Sequence, residues 1–446
     1  MSDAPKIEDL PKGDTEWFQR ARFGLFIHWG LYATPARHEW IKAREPIPEE
    51  TYQRYFDTFE PDCYDPGEWA DLAKEAGMRY FVITTKHHEG FCLWDSQHTD
   101  YKAPNTPAGR DLLREMVDAF SSRGLETGFY HSLIDWHHPH YVIDPVNHPL
   151  RDHPDRETMN KERDQAKYAE YLHAQVAELL TEYGDVKILW FDFSFPNREG
   201  GKGREDWDSE NLYRVVRRHA PNVILNDRID LPGVGDVVTP EQYQPPVAPT
   251  KDGKPVVWEA CHTFSGSWGY YRDEHTWKSV PQLIRMLVDN VSKGGNFLLN
   301  VGPDARGRLD DRVKTRLRGI GRWMRLHDRA IHDCGAAPEA FEVPEDCRFT
   351  WNPETGRLYL HCFAWPFRFV HLRGGDIANR LRLARFLNDG SEVRVLPRPK
   401  PGQGPAASHI HLHDLLPEDA LTLELPAEAP DPDVPVIELV LEPEDG

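Results

Sequence analysis

The sequence predicts a (β/α)8-like (TIM) barrel over residues 1–335, followed by a small all-β sandwich over residues 336–446. Two observations carry this. Up to residue 330, strand-like and helix-like runs alternate about seven times, at roughly 20 to 50 residues per unit, as parallel strands with helices outside them require. After about residue 335 the pattern becomes short period-two runs separated by turn signals, as in an antiparallel sandwich. A barrel usually takes about 250 residues but tolerates large insertions, and 446 residues leave room for a second, smaller domain. A doubly wound open sheet is the alternative. No GxGxxG or GxxxxGKS/T follows any strand, so a nucleotide fold has no support.

Residues 15–22 read as a short helix ahead of FGLFIHWG (23–30), a buried strand ending at His28. The loop after it carries Glu39 and Trp40. Residues 66–77 form a helix with Pro66 at its start and Gly77 past its end. The strand YFVITTK leads to His87 and His88, which point to opposite sides if the strand continues. Residues 110–124 are helical, then ETGFYHS ends near Tyr130 and His131. A helix over 159–183 precedes the apolar run Lys187–Phe193. Its one carboxylate, Asp192, stands at the carboxyl end, where barrels build their active sites and where an idle charge is costly; a cap for the following turn is the other reading. Residues 208–219 are helical, NVILNDR ends at Asn226, Asp227 and Arg228, and a loop carries Glu241. Glu259 lies in VVWEAC, a strand running into a loop with Trp268. Residues 279–293 are helical, NFLLNVGP is the last of seven clear barrel strands, and residues 309–330 form a long basic helix. An eighth strand is degenerate or hidden. In the second domain RFTWNPETGRLYLHCFAWP and LARFLNDGSEVRVL each read as two runs around a turn, PRPKPGQGP (397–405) as a loop, and SHIHLHDLL, LTLELP and VIELVLE as strands.

The converging strand ends form a mouth rich in aromatics, imidazoles and carboxylates, suited to sugar faces and hydroxyls. Two chemistries compete. A metal hydrolase could draw on His87, His88, His131, His137, His138 and His140, but the first strand has no HxH and no HExxH occurs. Glycoside hydrolysis needs a carboxylate pair: Asp192 suits the nucleophile, and Glu241 and Glu259 are candidates for the acid/base, with Glu259 better placed to hold a neighbouring side chain.

FGLFIHWG, TTKHHEGFCLW, Trp190-Phe191-Asp192, NDR (226–228), Trp258-Glu259 followed by SWGY (267–270), and NFLLNVGP (296–303) together resemble the α-L-fucosidases of glycoside hydrolase family 29, in the same order from about residue 17 to 330. The resemblance implies a retaining exo-fucosidase with no metal or organic cofactor. It implies Asp192 as nucleophile and His28, Glu39, Trp40, His87, His88, Tyr130, Trp190, Arg228 and Trp268 as fucose-binding residues. The acid/base falls on Glu241, in Thr239-Pro240-Glu241, with Glu259 as the alternative. Fucose carries a methyl group in place of a 6-hydroxyl, and Phe26 with Trp268 would meet it. Two departures stand near the site: Glu89, where the family has Asp, and DFSFP (192–196), where many members follow the nucleophile with glycine.

A net charge of −20 argues against nucleic acid or an anionic membrane surface as partner. No apolar run reaches membrane-spanning length, and the amino terminus lacks the signature of a signal peptide. Six scattered Cys form neither a disulfide framework nor a zinc site. A cytoplasmic enzyme is expected, acting on a fucosylated oligosaccharide or glycoside; the oligomeric state is open, a homo-oligomer included. A non-catalytic fucose-binding protein is the competing function.

Overall fold

The computed structural model describes residues 6–396, 417 and 419–442. The expected loop at 397–405 and strand at 408–416 lie outside them. Helix α1 (Glu16–Ala21) leads into β1 (Phe23–Ile27). Then follow α2 (Pro66–Glu75), β2 (Tyr80–Lys86), α3 (Leu112–Ser121), β3 (Glu126–Ser132), α4 (Gln165–Glu182), β4 (Val186–Asp192), α5 (Ser209–His219), β5 (Ile224–Leu225), β6 (Glu259–Thr263), α6 (Val280–Ser292), β7 (Asn296–Val301) and α7 (Asp311–His327). The helices start where side chains supply the missing acceptors: Asp65, Asp111, Ser279 and Asp310 accept from backbone N–H groups in the first turns of α2, α3, α6 and α7.

The seven strands form one parallel sheet in the order β5-β4-β3-β2-β1-β7-β6. Its two edges are joined by residues 237–241, through parallel bridges Asn226↔Val237, Val238↔Trp258 and Glu241↔Cys261. This segment is the degenerate eighth stave. Its sequence, VVTPE, carries Pro240 where a ladder donor would stand. Alternation along β4 turns Ile188 and Trp190 into the barrel, with Phe26, Tyr130 and Cys261, while Leu189 and Phe191 face the helices. The same period carries Asp192 inward at the rim.

Three expectations are corrected. The helix over 159–183 is broken: Arg156–Asn160 is a separate turn, because Asn160 Oδ1 accepts from Ile143 N–H (2.9 Å) and Asp164 caps a new start at Ala166 (3.1 Å). β5 is only two residues long, since the Asn226 side chain replaces its backbone on Phe191, accepting from the N–H (2.9 Å) and donating to the carbonyl (2.8 Å). β2 stops at Lys86, so His87 and His88 do not splay; their rings lie 4.0 Å apart at the same mouth.

From Gly335 onward every described strand is antiparallel. β8 (Gly335–Ala336), β9 (Phe341–Glu342), β10 (Cys347–Asn352), β11 (Arg357–Cys362), β12 (Phe369–Gly374), β13 (Leu381–Phe386), β14 (Arg394–Leu396), β15 (Leu421–Glu424) and β16 (Val436–Leu441) make two sheets. Their orders are β8-β10-β11-β16-β13 and β9-β12-β15-β14. Buried residues such as Phe349, Leu360, Leu372, Leu423 and Ile437 fill the space between them. The expected 347–362 hairpin forms. The one around Asn388-Asp389-Gly390 turns locally, with Gly390 at φ 74°, and then its two strands part to different sheets.

Candidate active site

Asp192 ends β4 with its side chain 14% exposed. Two donors fix its carboxylate: Tyr130 O–H to Oδ2 (2.9 Å) and Arg228 Nη1 to Oδ1 (2.8 Å). His88 Nε2 stands 3.8 Å from Oδ2. Arg228 reaches this place because Asn226 peels the chain away from β4; its Nε donates to Thr239 Oγ1 (3.0 Å) and its Nη2 to Thr239 O (3.1 Å). Its guanidinium lies 4.3 Å from the Trp190 ring centre. The same Nη1 donates to Glu241 Oε2 (2.7 Å). One nitrogen within 2.8 Å of one carboxylate and 2.7 Å of the other holds the two oxygens no more than about 5.5 Å apart. Burial opposes the Arg228 charge, but Asp192 and Glu241 raise its pKa above the ordinary range. The Glu241 side chain is 40% exposed, open to solvent where Asp192 is enclosed.

The imidazoles are held as neutral acceptors. Asn300 spends its amide N–H on Trp268 O (2.7 Å), so its Oδ1 accepts from His28 Nδ1 (2.6 Å). His28 therefore keeps Nε2 bare. Ser132 donates to Ile134 O (2.8 Å) and accepts from His88 Nδ1 (2.7 Å), giving His88 the same tautomer. Burial lowers the pKa of His28 below its usual value, and those of His87 and His88 well below it. Each bare nitrogen can accept from a hydroxyl.

Glu39 is buried, and its Oε2 accepts from the backbone N–H groups of Trp268 (3.2 Å) and Gly269 (2.9 Å). Burial alone would raise its pKa; His38 and the Gly269 amide outweigh that and hold it at about 2. Glu39 thus ties the Trp268 loop to the loop bearing Trp40. Gly269 permits the approach, since a Cβ there would come 2.9 Å from the Tyr32 ring and 3.1 Å from Glu39 N. Phe26 packs against Trp268 (5.9 Å), Trp190 (5.4 Å) and Tyr130 (5.9 Å), forming an apolar wall beside His28. Trp40 stands edge-on to His88 (4.8 Å).

Glu259 is not brought to this mouth. It is the first residue of β6, at the amino end of the barrel, buried and accepting from Tyr80 O–H. Burial raises its pKa to about 8. Glu89 is also turned inward: it accepts from Leu31 N (2.9 Å) and Tyr52 O–H, bracing the loop after β1, and burial raises its pKa to about 7. The histidines of a metal reading are dispersed. His131 bonds Thr85 behind β3 (3.0 Å), His137 pairs with Glu49 (3.1 Å) and His138 stacks on Tyr171 (4.2 Å). Among the described residues no group of three or more His, Cys, Asp or Glu gathers in a way that could hold a metal ion. Sequence reasoning missed Asn300 and Ser132, which set the tautomers; their place two residues beyond inward-facing strand positions was the available signal. No helix among the described residues is long and apolar enough to cross a membrane.

The family described as alpha-L-fucosidase matches residues 4–329. The chain is 30% identical over 380 residues to the plasma alpha-L-fucosidase of Rattus norvegicus, covering 78% of this chain and 77% of that one. It is 30% identical over 400 residues to the tissue alpha-L-fucosidase of Homo sapiens, covering 82% and 78%. Among solved structures, alpha-L-fucosidase isoenzyme 1 from Paenibacillus thiaminolyticus superposes with a TM-score of 0.87 at 43% identity, over 96% of this chain and 99% of that one. An alpha-L-fucosidase from Bacteroides thetaiotaomicron, trapped as a covalent intermediate with 2-fluoro-fucosyl fluoride, superposes at 0.80 with 27% identity, over 97% and 98%.

Proposed function

Because this chain belongs to the alpha-L-fucosidase family, we infer that it hydrolyses terminal α-L-fucosides with retention, using Asp192 as nucleophile and Glu241 as acid/base. The observation that carries the roles is the carboxylate spacing. Two carboxylates share one guanidinium nitrogen at 2.8 and 2.7 Å, which keeps Asp192 Oδ1 and Glu241 Oε2 within about 5.5 Å of each other, a closeness that supports a retaining pair. Asp192 attacks the anomeric carbon while Glu241 protonates the leaving oxygen. A fucosyl-enzyme ester forms, and Glu241 then takes a proton from the water that breaks it. The enclosed position of Asp192 suits the covalent step; the open position of Glu241 suits contact with leaving group and water. His28 and His88 accept from sugar hydroxyls through their bare nitrogens. Phe26 and Trp268 receive the methyl group, which favours fucose over sugars with a 6-hydroxyl.

Within this reading residues 1–335 form the catalytic unit and residues 336–446 brace it. The Trp323 indole N–H donating to Val434 O (2.8 Å) and the Arg348–Asp289 pair (2.8 Å) support that. A cytoplasmic site of action belongs to the same reading: all six cysteines stand as free thiols, which suits a reducing compartment. The substrates are then short fucosylated oligosaccharides or glycosides.

The test is release of nitrophenol from an aryl α-L-fucoside by wild type and by Asp192→Gly, with and without azide. Release by wild type, loss in the variant, and recovery as β-fucosyl azide are expected. Full activity in Asp192→Gly would remove Asp192 from its role.

A further inference from the structure

Asp192 is followed by a residue in a backbone state that its type rarely adopts. Phe193 has φ 79°, in the left-handed region where a Cβ crowds the neighbouring carbonyl and where glycine or asparagine is normal. Thirteen non-glycine residues among those described have positive φ, and Phe193 is the one Phe, Tyr or Trp in that group. The surrounding structure over-determines the conformation. Before it, Phe191 is clamped by Asn226 and the Asp192 carbonyl accepts from Leu133 N (3.0 Å). After it, Ser194 Oγ donates to Arg228 O (3.0 Å) and accepts from the Trp207 indole (2.9 Å). A glycine would satisfy the same backbone without strain, so the side chain itself must have a use.

That side chain lies against the sugar-reading residues. Its ring centre is 5.0 Å from Trp40 and 5.3 Å from His88, and Phe195 backs it at 5.5 Å. Trp40 is otherwise bounded by His88 (4.8 Å) and Trp136 (5.3 Å), and the Trp136 backbone N–H donates to His88 O (2.8 Å). Phe193 completes this packing. The left-handed turn is what aims the ring there: an extended residue at this position would continue the strand's alternation, away from the mouth.

We propose that Phe193 is a positioning residue for sugar binding, a ring held in a strained backbone so that Trp40 and His88 keep the orientation in which they grip the fucosyl unit. The proposal rests on the fucosidase reading for the identity of the sugar, and on geometry alone for the role of the ring. Because Phe193 supports groups that hold the glycone, its loss weakens ground state and transition state alike. KM then rises while kcat holds.

The experiment compares Phe193→Gly, Phe193→Leu and Phe193→Tyr with wild type, by steady-state kinetics on two aryl α-L-fucosides with different leaving groups and by isothermal titration with L-fucose. Phe193→Gly is expected to raise KM and the Kd for fucose by about tenfold, equally for both leaving groups, with kcat within threefold of wild type. Phe193→Tyr keeps the ring and should keep both constants within about twofold, and Phe193→Leu falls between. Unchanged KM and Kd in Phe193→Gly, with only the melting temperature altered, would overturn the proposal. Should Phe193→Gly fail to fold, Phe193→Leu decides: wild-type constants there overturn it too. The fucose titration reads the role even if no aryl fucoside is turned over, an outcome that would strike at the functional reading instead.

Discussion

Replacing Glu259 with glutamine separates a buried structural carboxyl from a catalytic one. Glu259 is 1% exposed at the amino end of the barrel, and burial raises its pKa from an ordinary 4.5 to about 8. The folded protein therefore holds this proton between pH 4.5 and about 8, where the unfolded chain has released it. The stability associated with it is complete below pH 4.5, falls through that window, and is lost above about 8. At about 1.4 kcal/mol per pH unit the total is on the order of 5 kcal/mol. Glu259→Gln keeps an acceptor for Tyr80 O–H and carries no proton to lose. Wild type and variant should melt alike near pH 5. Near pH 9 the variant should melt higher, by about 5 °C for a chain of this size. The assay is thermal unfolding of both proteins at pH 5, 7 and 9, with kcat/KM beside it. Parallel pH trends would refute the reasoning by showing the carboxyl already ionised in the fold. A hundredfold loss of kcat/KM restored by azide would refute it differently, by making Glu259 the acid/base.

Glu241→Gln should lower hydrolysis by about 10²–10⁴-fold, least for a highly acidic leaving group; azide should accelerate it and give the α-fucosyl azide, the opposite anomer from Asp192→Gly, as product analysis would show. Arg228→Met removes the cation that touches both carboxylates and should cost about 10³-fold in kcat/KM. Asn300→Leu takes away the acceptor that fixes the His28 tautomer; KM should rise about tenfold with kcat nearly unchanged, and a KM equal to wild type would show that His28 orients itself.

The parts of the fold legible in the sequence were those set by period and caps. The apolar alternation of β1, β2 and β4 and the Asp, Ser and Pro at helix starts located seven barrel strands and their helices. Less legible were places where a side chain does backbone work: Asn226 truncating β5, and Asn160 with Asp164 breaking the helix before β4. β12, FVHLRG, went unread although buried Val370 and Leu372 alternate with exposed Phe369 and His371, the period-two signal of a half-buried strand. At the site, the strand-end positions of His28, Tyr130, Trp190 and Asp192 placed them together. The position of Glu259 was not legible: VVWEAC reads as a strand carrying the carboxylate toward its carboxyl end, whereas the strand begins at Glu259 and so holds it at the opposite end from the mouth. Glu39 was read as a sugar ligand, and its tie to the Trp268 loop required the long-range contact between two loops.

The barrel is closed by its poorest stave. Residues 237–241 meet their neighbours through three isolated bridges, and the last of these residues is Glu241. On the proposed reading, the seam of the cylinder and the proton donor are one piece of chain. Opening that seam would leave seven hydrogen-bonded strands and Asp192 in place while withdrawing Glu241, so on the same reading a local opening there would switch the chemistry off without unfolding the barrel. In rising denaturant, catalysis should fade before the barrel's circular dichroism does. The gap between the two curves would measure how firmly the ring is shut.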